Sequence, residues 1–241
     1  QFSRFNDGVV ILIGDLDANA VKKMLTRYLG GFVTGNQYSF RPPIRYSLRS
    51  GWSTYTIDAD ASYVGEGDPS LSVAVSTLMP FTADRYMAFK IATIVVERAV
   101  VETLADCGLY AEFYDDYEVY PHERLNLKMT FRPASQDGLP DDVVPMDPLA
   151  ALGHIRVALG KATSEPVSEA RLKVYKASLL NDLESHYTTT SDLMDATLSR
   201  YSDGKDLVTK YKDKVNAVNA EAVMEVLKAF KDGSKVEYLI F

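Results

Sequence analysis

The chain has 241 residues, of which 46% are hydrophobic and 24% are charged, and this composition excludes disordered, collagen-like and coiled-coil proteins. Its 33 acidic residues outnumber 26 lysines and arginines, and the resulting net charge of −7 argues against nucleic acid as a ligand. The single cysteine, Cys107, excludes an intramolecular disulfide and a four-cysteine zinc site. No apolar run approaches the roughly 20 residues that cross a bilayer, so we predict no membrane span.

The first elements of the chain are predicted to be a strand, a turn and a helix. The β-branched run Val9-Val-Ile-Leu-Ile13 ends at Gly14-Asp15 and is typical of a buried strand that reaches a turn. Asp17 is a good N-cap, and Gly30-Gly31 ends the helix that follows. The apolar residues of this helix recur at helical spacing and form one stripe. They are Val21, Met24, Leu25, Tyr28 and Leu29.

The middle of the chain is predicted to be rich in strands. A polar connection over residues 32–50 leads to two strands, over about 52–58 and 71–79. A long helix opens at Thr82 and runs to Asp106, where Cys107-Gly108 closes it. Two further strands follow. In the second, apolar residues from Leu125 to Phe131 alternate with polar ones, which is the period of a half-buried antiparallel strand.

The remainder of the chain is predicted to be helical after a loop at 133–148. The expected helices cover 149–160, 168–187, 191–201, 205–214 and 220–231, and a strand over 236–241 closes the chain. We therefore predict one α+β domain over 1–241, with a mainly antiparallel sheet packed against helices. It comprises a strand-rich part (1–132), the loop (133–148), a helical remainder (149–235) and the closing strand.

The sequence offers no catalytic centre. The histidines His122, His154 and His186 lie 32 residues apart, so neither His-Glu-x-x-His nor His-x-x-Glu-His occurs. No Gly-x-Ser-x-Gly elbow is present, and Cys107 at a helix C-terminus is a poor thiolate because the helix dipole raises its pKa. We predict no catalytic residue and no metal ligand in this chain.

The segment 109–120 alternates aromatic and acidic residues. Such alternation is the usual pattern of a strand that packs aromatic side chains on one face and solvates carboxylates on the other. A surface that faces a ligand would show the same pattern. Both interpretations are open at this point.

Several motifs in order resemble the second domain in each half of pitrilysin/insulinase-family zinc peptidases. The family's domain opens with a strand, the motif Gly-Asp-x-Asp and a helix that ends in Tyr-(Phe/Leu)-Gly. Residues 10–17 and 27–31 of this chain resemble that opening. A long helix ending at 102–110, a strand with Pro121 and another ending at Phe131 follow in the family's order. So do Glu169-x-x-Leu-x-x-x-Lys176, Gly204-x-Asp206, 218–221 and a closing strand. The resemblance covers essentially the whole chain.

The resemblance implies a non-catalytic domain with the half-clamshell fold of mitochondrial processing peptidase. In this family the zinc ligands lie in another domain, and two halves enclose a peptide in a chamber. The implied partners are therefore a catalytic zinc-binding domain, in the same polypeptide or a partner subunit, and a peptide substrate. Zinc is expected in that partner and no cofactor in this chain. The compartment is not determined, and a bacterial periplasm or cytoplasm is compatible with the resemblance.

The family's second half usually supplies an Arg seven residues before a Tyr, and both contact the substrate. In this chain Leu104 or Ala105 stands at the Arg position and Ala111 at the Tyr position, with Tyr110 one residue earlier. The resemblance implies Tyr110 and Gly108 as substrate-binding residues. A packed strand aromatic is the alternative role for Tyr110.

Three functions remain open from the sequence. The first is a non-catalytic domain of a zinc-dependent endopeptidase that helps to enclose the substrate chamber and to hold the catalytic half. The second is a structural or scaffold subunit of a peptidase-like assembly that has lost proteolysis. The third is an unrelated small-molecule-binding α+β domain, which one deep apolar pocket would favour.

Overall fold

The computed structural model describes residues 10–31, 47–57, 70–119, 122–135, 143–202 and 204–240. These residues belong to two compact units, one from 1–44 and 181–211 and the other from 45–180 and 212–241. The prediction of a single domain over 1–241 stays a prediction.

The second unit is built on a five-stranded sheet in the order β1-β5-β2-β4-β3. Only the β1–β5 pair is parallel among these strands, so the predicted mainly antiparallel sheet is confirmed. The five strands are β1 (Gly51–Ile57), β2 (Ser70–Leu78), β3 (Leu109–Glu118), β4 (Arg124–Pro133) and β5 (Ser234–Ile240). The last begins two residues earlier than predicted.

One face of this sheet carries the core. Apolar side chains at alternate positions of β2 and β4 are buried, because these strands lie in the middle of the sheet and one of their faces is covered. The register between the two strands pairs Leu71 with Phe131 and Val75 with Leu127. This confirms the predicted alternation in β4. The helices α2 (Ala83–Leu104), α3 (Leu152–Ala162) and α7 (Ala220–Asp232) cover that face, with α2 packed against the other two.

Helix α2 is predicted well because its local signals agree with its burial. Thr82 caps its N-terminus by accepting a hydrogen bond from the Arg85 amide at 3.1 Å. Nine of its 22 residues are buried, including Phe89, Ile91 and Val96. A short 3-10 turn, Ala105–Cys107, ends it before β3 begins.

The remaining helices are α4 (Glu169–His186), α5 (Thr190–Ser202) and α6 (Tyr211–Ala217). The helix predicted over 205–214 is wrong in position, because no described residue from 204 to 210 is helical. Gly204 and Lys210 have φ angles of 71° and 53°, outside the helical range, and the Asp206 side chain caps a turn by accepting from the Thr209 amide at 3.1 Å.

The first unit contains α1 (Ala18–Leu29), which begins after Asp17 and ends before Gly30 as predicted. The Asp17 carboxylate accepts hydrogen bonds from the amides of Asn19 and Ala20 at 2.8 and 3.3 Å. The strand predicted at 9–13 is wrong for residues 10–13, which form no strand, and Val9 lies outside the described residues. Val10 and Leu12 are 49% and 47% exposed, so this run is not buried either.

Candidate functional site

The turn that leads into β3 is fixed by glycine and by two backbone hydrogen bonds. Gly108 adopts φ 59° and ψ 35°, a left-handed conformation that glycine reaches without a Cβ penalty. Its carbonyl accepts from the Ala134 amide at 2.9 Å, and the Cys107 carbonyl accepts from the Met146 amide at 2.8 Å. Gly108 is buried, so this predicted substrate-binding residue lies beneath the surface and determines the direction in which β3 leaves the helix.

Tyr110 stands at the start of β3 on the sheet face opposite α2, and its side chain is 58% exposed. This exposure shows that the ring is not packed in the core of this chain, and the alternative in which Tyr110 is a packed aromatic stays open for the assembled protein. Phe113, an odd-numbered neighbour on the strand, points to the helix-covered face and is half-buried. Substrate contact by Tyr110 remains a prediction.

Arg132 is a residue that the sequence analysis did not single out. The β3–β4 register places it directly opposite Tyr110 on the same face, and its side chain is exposed. Directly opposed side chains have Cβ atoms about 5 Å apart. The sequence alone could have indicated this pairing. If β3 and β4 form a hairpin in which Glu118 stands opposite Arg124, the register places Arg132 opposite Tyr110.

Tyr110 lies on the open face of the sheet, which is the face opposite the helices α2, α3 and α7. Its exposed aromatics are Tyr110 and Tyr114 on β3, Tyr55 on β1 and Tyr238 on β5, with exposures of 37–66%. The rings of Tyr55 and Tyr238 stack with centroids 5.8 Å apart. Between the two pairs of tyrosines the face is polar, with hydroxyl contacts such as Ser72 to Thr130 at 3.1 Å. Ser72 itself is buried, so the exposed phenols are the groups that suit a surface that hydrogen-bonds polar chains.

The two positions at which the resemblance places the Arg differ in exposure. Leu104 is 4% exposed, so a side chain there packs in the core and does not reach a ligand. Ala105 is exposed at the 3-10 turn. Neither position supplies a cation, whereas Arg132 on β4, opposite Tyr110, is an exposed cation.

Cys107 is buried, at 6% exposure. Burial, and to a smaller extent the nearby Asp106 carboxylate, raises the pKa of the thiol. The direction agrees with the prediction, whereas the main cause is burial rather than the helix dipole. A neutral buried thiol is a weak nucleophile and a weak metal ligand.

The described ranges lack the features of a metal site and of a membrane-spanning helix. Those residues contain no group of three or more His, Cys, Asp or Glu side chains placed to hold a metal ion. They therefore do not fit a zinc site. No described helix combines the length and the apolarity needed to span a bilayer.

No protein-family model and no curated protein matches the sequence. Solved structures do match. A protease from Helicobacter pylori superposes with a TM-score of 0.67 at 12% identity, over 94% of this chain and 54% of its own length. A Yersinia pestis protein described as a predicted insulinase-family protease has a TM-score of 0.61 at 12% identity, over 94% of this chain and 50% of its own.

The fold is that of insulinase-family protease domains. The resemblance expected from the sequence is thus confirmed at the level of fold. The inactive peptidase domain of a Bordetella parapertussis protein classed as a zinc protease also matches, with a TM-score of 0.50 at 15% identity over 74% of this chain and 94% of its own. This chain spans about half the length of the Helicobacter and Yersinia proteins, and 24% of the length of two other matched proteases.

Proposed function

We propose that this chain is a non-catalytic domain of a zinc-dependent endopeptidase, which helps to enclose the peptide chamber and to hold the catalytic half. The observation that carries the proposal is the likeness in fold to insulinase-family proteases about twice as long as the part matched. Zinc would be held by that second half, in the same polypeptide or in a partner subunit, and activate the water that attacks a peptide bond.

Exposed apolar surface on the first unit supports a partner. Helix α1 has no buried residue, and Met24 and Tyr28 on its apolar stripe are 49% and 66% exposed. Val10 and Leu12 add two more exposed apolar side chains. Because burial of apolar surface stabilises association, we propose that the catalytic half covers these residues.

The open face supports a role in enclosing a peptide. Tyr110 and Arg132 both present hydrogen-bond donors, which match the carbonyl groups of an extended peptide. Acidic residues on the same face, such as Glu112 and Asp116, would favour peptide segments that carry lysine or arginine. We propose that this face borders the substrate.

The proposal is tested by reconstitution with the half that carries His-x-x-Glu-His. The chain alone, dialysed and then supplied with zinc, is expected to retain no zinc and to leave an unstructured fluorogenic peptide uncleaved. The assembled protein is expected to cleave it, and a zinc chelator should abolish cleavage. One tightly held zinc per chain, or chelator-sensitive cleavage by the chain alone after repeated purification, would contradict the proposal.

A scaffold role in an assembly without proteolysis is the second candidate. The apolar Leu104 and the small Ala105 at the positions of the family's Arg favour it. An assembly that binds zinc and remains inactive towards a broad set of peptides would select this role over the first.

A further inference from the structure

A cavity of about 220 Å³ lies on the helix-covered side of the sheet, in the second unit. Its apolar wall comes from the sheet and from three helices. These residues are Val75, Val96, Leu127, Leu159 and Phe230. An engineered apolar cavity of about 150 Å³ takes up benzene, so this cavity has room for an aromatic ring with a short substituent.

The polar part of the cavity is cationic. Trp52, Arg156, Lys231 and Lys235 line it beside the apolar wall. The Arg156 guanidinium is neutralised by Glu237, a fully buried residue whose carboxylate oxygens lie 2.7 and 2.6 Å from Nε and Nη2. Thr54 completes this cluster by donating its hydroxyl to Glu237 at 2.7 Å.

Lys235 has no such neutralising partner among the described residues. Only 8% of it is exposed, and its Nζ donates to the carbonyls of Lys231 and Gly233 at 2.5 and 3.1 Å. Neither Lys235 nor Lys231 forms an ion pair within 4.0 Å in the described part of the chain. Burial lowers the pKa of Lys235, and the Asp232 carboxylate, which is not within 4.0 Å, raises it by a smaller amount. A buried ammonium without a carboxylate is costly, and a bound anion would offset that cost.

We propose that this cavity binds a small amphipathic anion, an aryl or short alkyl carboxylate. The apolar group lies beside Trp52 at the mouth of the apolar wall, whose residues are at most 4% exposed, and the carboxylate accepts hydrogen bonds from the Lys235 ammonium. Trp52 closes one side, where its ring already lies 5.0 Å from the Arg156 guanidinium carbon and 6.0 Å from Lys235 Nζ. This site is independent of the peptide chamber, which the proposal above places at the open face.

The single tryptophan of the chain makes the site directly observable, because Trp52 lines it. Phenylacetate is the probe, and 2-phenylethanol, with the same carbon skeleton and no charge, is its control. We expect phenylacetate to change the Trp52 fluorescence saturably and to bind about tenfold or more tightly than the alcohol, the scale of one charge-assisted hydrogen bond.

Two glycines on α3 give a matched pair of variants. A Cβ at Gly160, which lines the cavity, and one at Gly153, which does not, would each meet no atom within 4 Å. Leucine is a better helix former than glycine at both positions, so both variants should fold. We expect G160L to abolish phenylacetate binding and G153L to retain it.

Lys235→Met removes the charge and keeps an unbranched side chain, and it should weaken phenylacetate binding about tenfold without affecting the alcohol. Lys228→Met, at an exposed position of the same helix as Lys231, is its control. The proposal is overturned by the absence of a saturable fluorescence change, by equal affinities for acid and alcohol, or by undiminished binding to G160L.

Discussion

Tyr110 and Arg132 show how a sheet can bring together a pair of side chains that are distant in sequence. They are separated by 22 positions, yet the antiparallel register places them directly opposite each other on an exposed face. Neither side chain is needed for the core, since both are exposed. Tyr110 at the start of β3 and Arg132 near the end of β4 are exposed hydrogen-bond donors beside the Gly108 turn, and neither has an evident structural task.

The prediction at this scale is that Tyr110→Phe in the assembled protein lowers peptide turnover about tenfold. The change removes one hydroxyl that would donate to a peptide carbonyl and retains the ring, and the loss is that of one hydrogen bond made in the transition state. Turnover of the fluorogenic peptide is measured together with zinc content and melting temperature, both of which should stay unchanged.

Tyr114→Phe is the matched control for this experiment. Tyr114 lies on the same strand and face, is 66% exposed, and stands opposite Lys128 rather than Arg132. Because it lies on the same proposed substrate surface without an arginine opposite, its loss is expected to lower turnover less than Tyr110→Phe does, by about twofold at most. Equal turnover for wild type and Tyr110→Phe would remove Tyr110 from the substrate surface and would favour a chamber built without this domain's side chains.

Between elements, β3 is joined to the start of α2 by Tyr117. Its ring is 1% exposed and packs edge-on against Phe81 and Phe89, with centroids 5.1 and 5.7 Å away. Its hydroxyl lies 3.1 and 2.6 Å from the carbonyl oxygens of Met79 and Pro80 and donates to this pair. Burial raises the pKa of Tyr117 to about 12, with Arg85 lowering it and Glu123 raising it by smaller amounts.

This pKa predicts a pH dependence of stability that belongs to one side chain. The unfolded tyrosine ionises near pH 10, while the folded one stays protonated up to about pH 12, so the unfolded state binds fewer protons between these values. The stabilisation is complete below pH 10 and is lost as the pH rises through 12. At pH 11 the loss should be about 1 kcal/mol.

Urea unfolding at pH 8 and pH 11 checks this prediction against Tyr117→Phe, which has no ionisable group at the site. Other groups that titrate in this range, lysines included, contribute equally to both proteins and cancel in the difference. The stability gap between wild type and variant should therefore narrow by about 1 kcal/mol at pH 11. A gap that is the same at both pH values would show that Tyr117 does not keep its proton.

The sequence correctly predicts the helices whose cap residues and apolar spacing indicate the same element. Helices α1, α2 and α7 begin after the side-chain caps Asp17, Thr82 and Asn219, and their ends were predicted to within a few residues. The helix predicted at 205–214 fails because its start depends on backbone turns at Gly204 and Lys210, which helical periodicity does not show. The strand at 10–13 fails because a strand requires a pairing partner, which its own residues do not specify.

The candidate sites divide in the same way. Tyr110 could be chosen from strand alternation and the family resemblance, whereas Arg132 needed the strand register. The Arg156–Glu237 pair joins residues 81 positions apart, and the cavity joins Trp52 to Lys235, so only the folded arrangement brings these residues together. Sequence patterns report local geometry, and sites built from several elements depend on packing.

At the scale of the whole molecule, burial is distributed unequally between the two units. The second unit buries nine of the 22 residues of α2 and four of the 13 residues of α7, whereas α1 in the first unit buries none of its residues. A helix of 12 residues is marginal in water unless an apolar face is packed. The stability of α1 must then come from whatever covers its stripe.

Hydrogen exchange of the backbone amides tests this difference. In the chain alone, we expect the amides of α1 to exchange within about tenfold of unstructured rates, and those of α2 at least about a thousandfold more slowly, because exchange there requires global unfolding. In the assembly with the zinc-binding half, the amides of α1 should become protected. Met24→Gln, on the stripe, should reduce that protection, and Lys23→Gln, at an exposed position beside it, should not. Protection of α1 as strong as that of α2 in the isolated chain, or protection unchanged by assembly, would show that the catalytic half does not bind at this stripe.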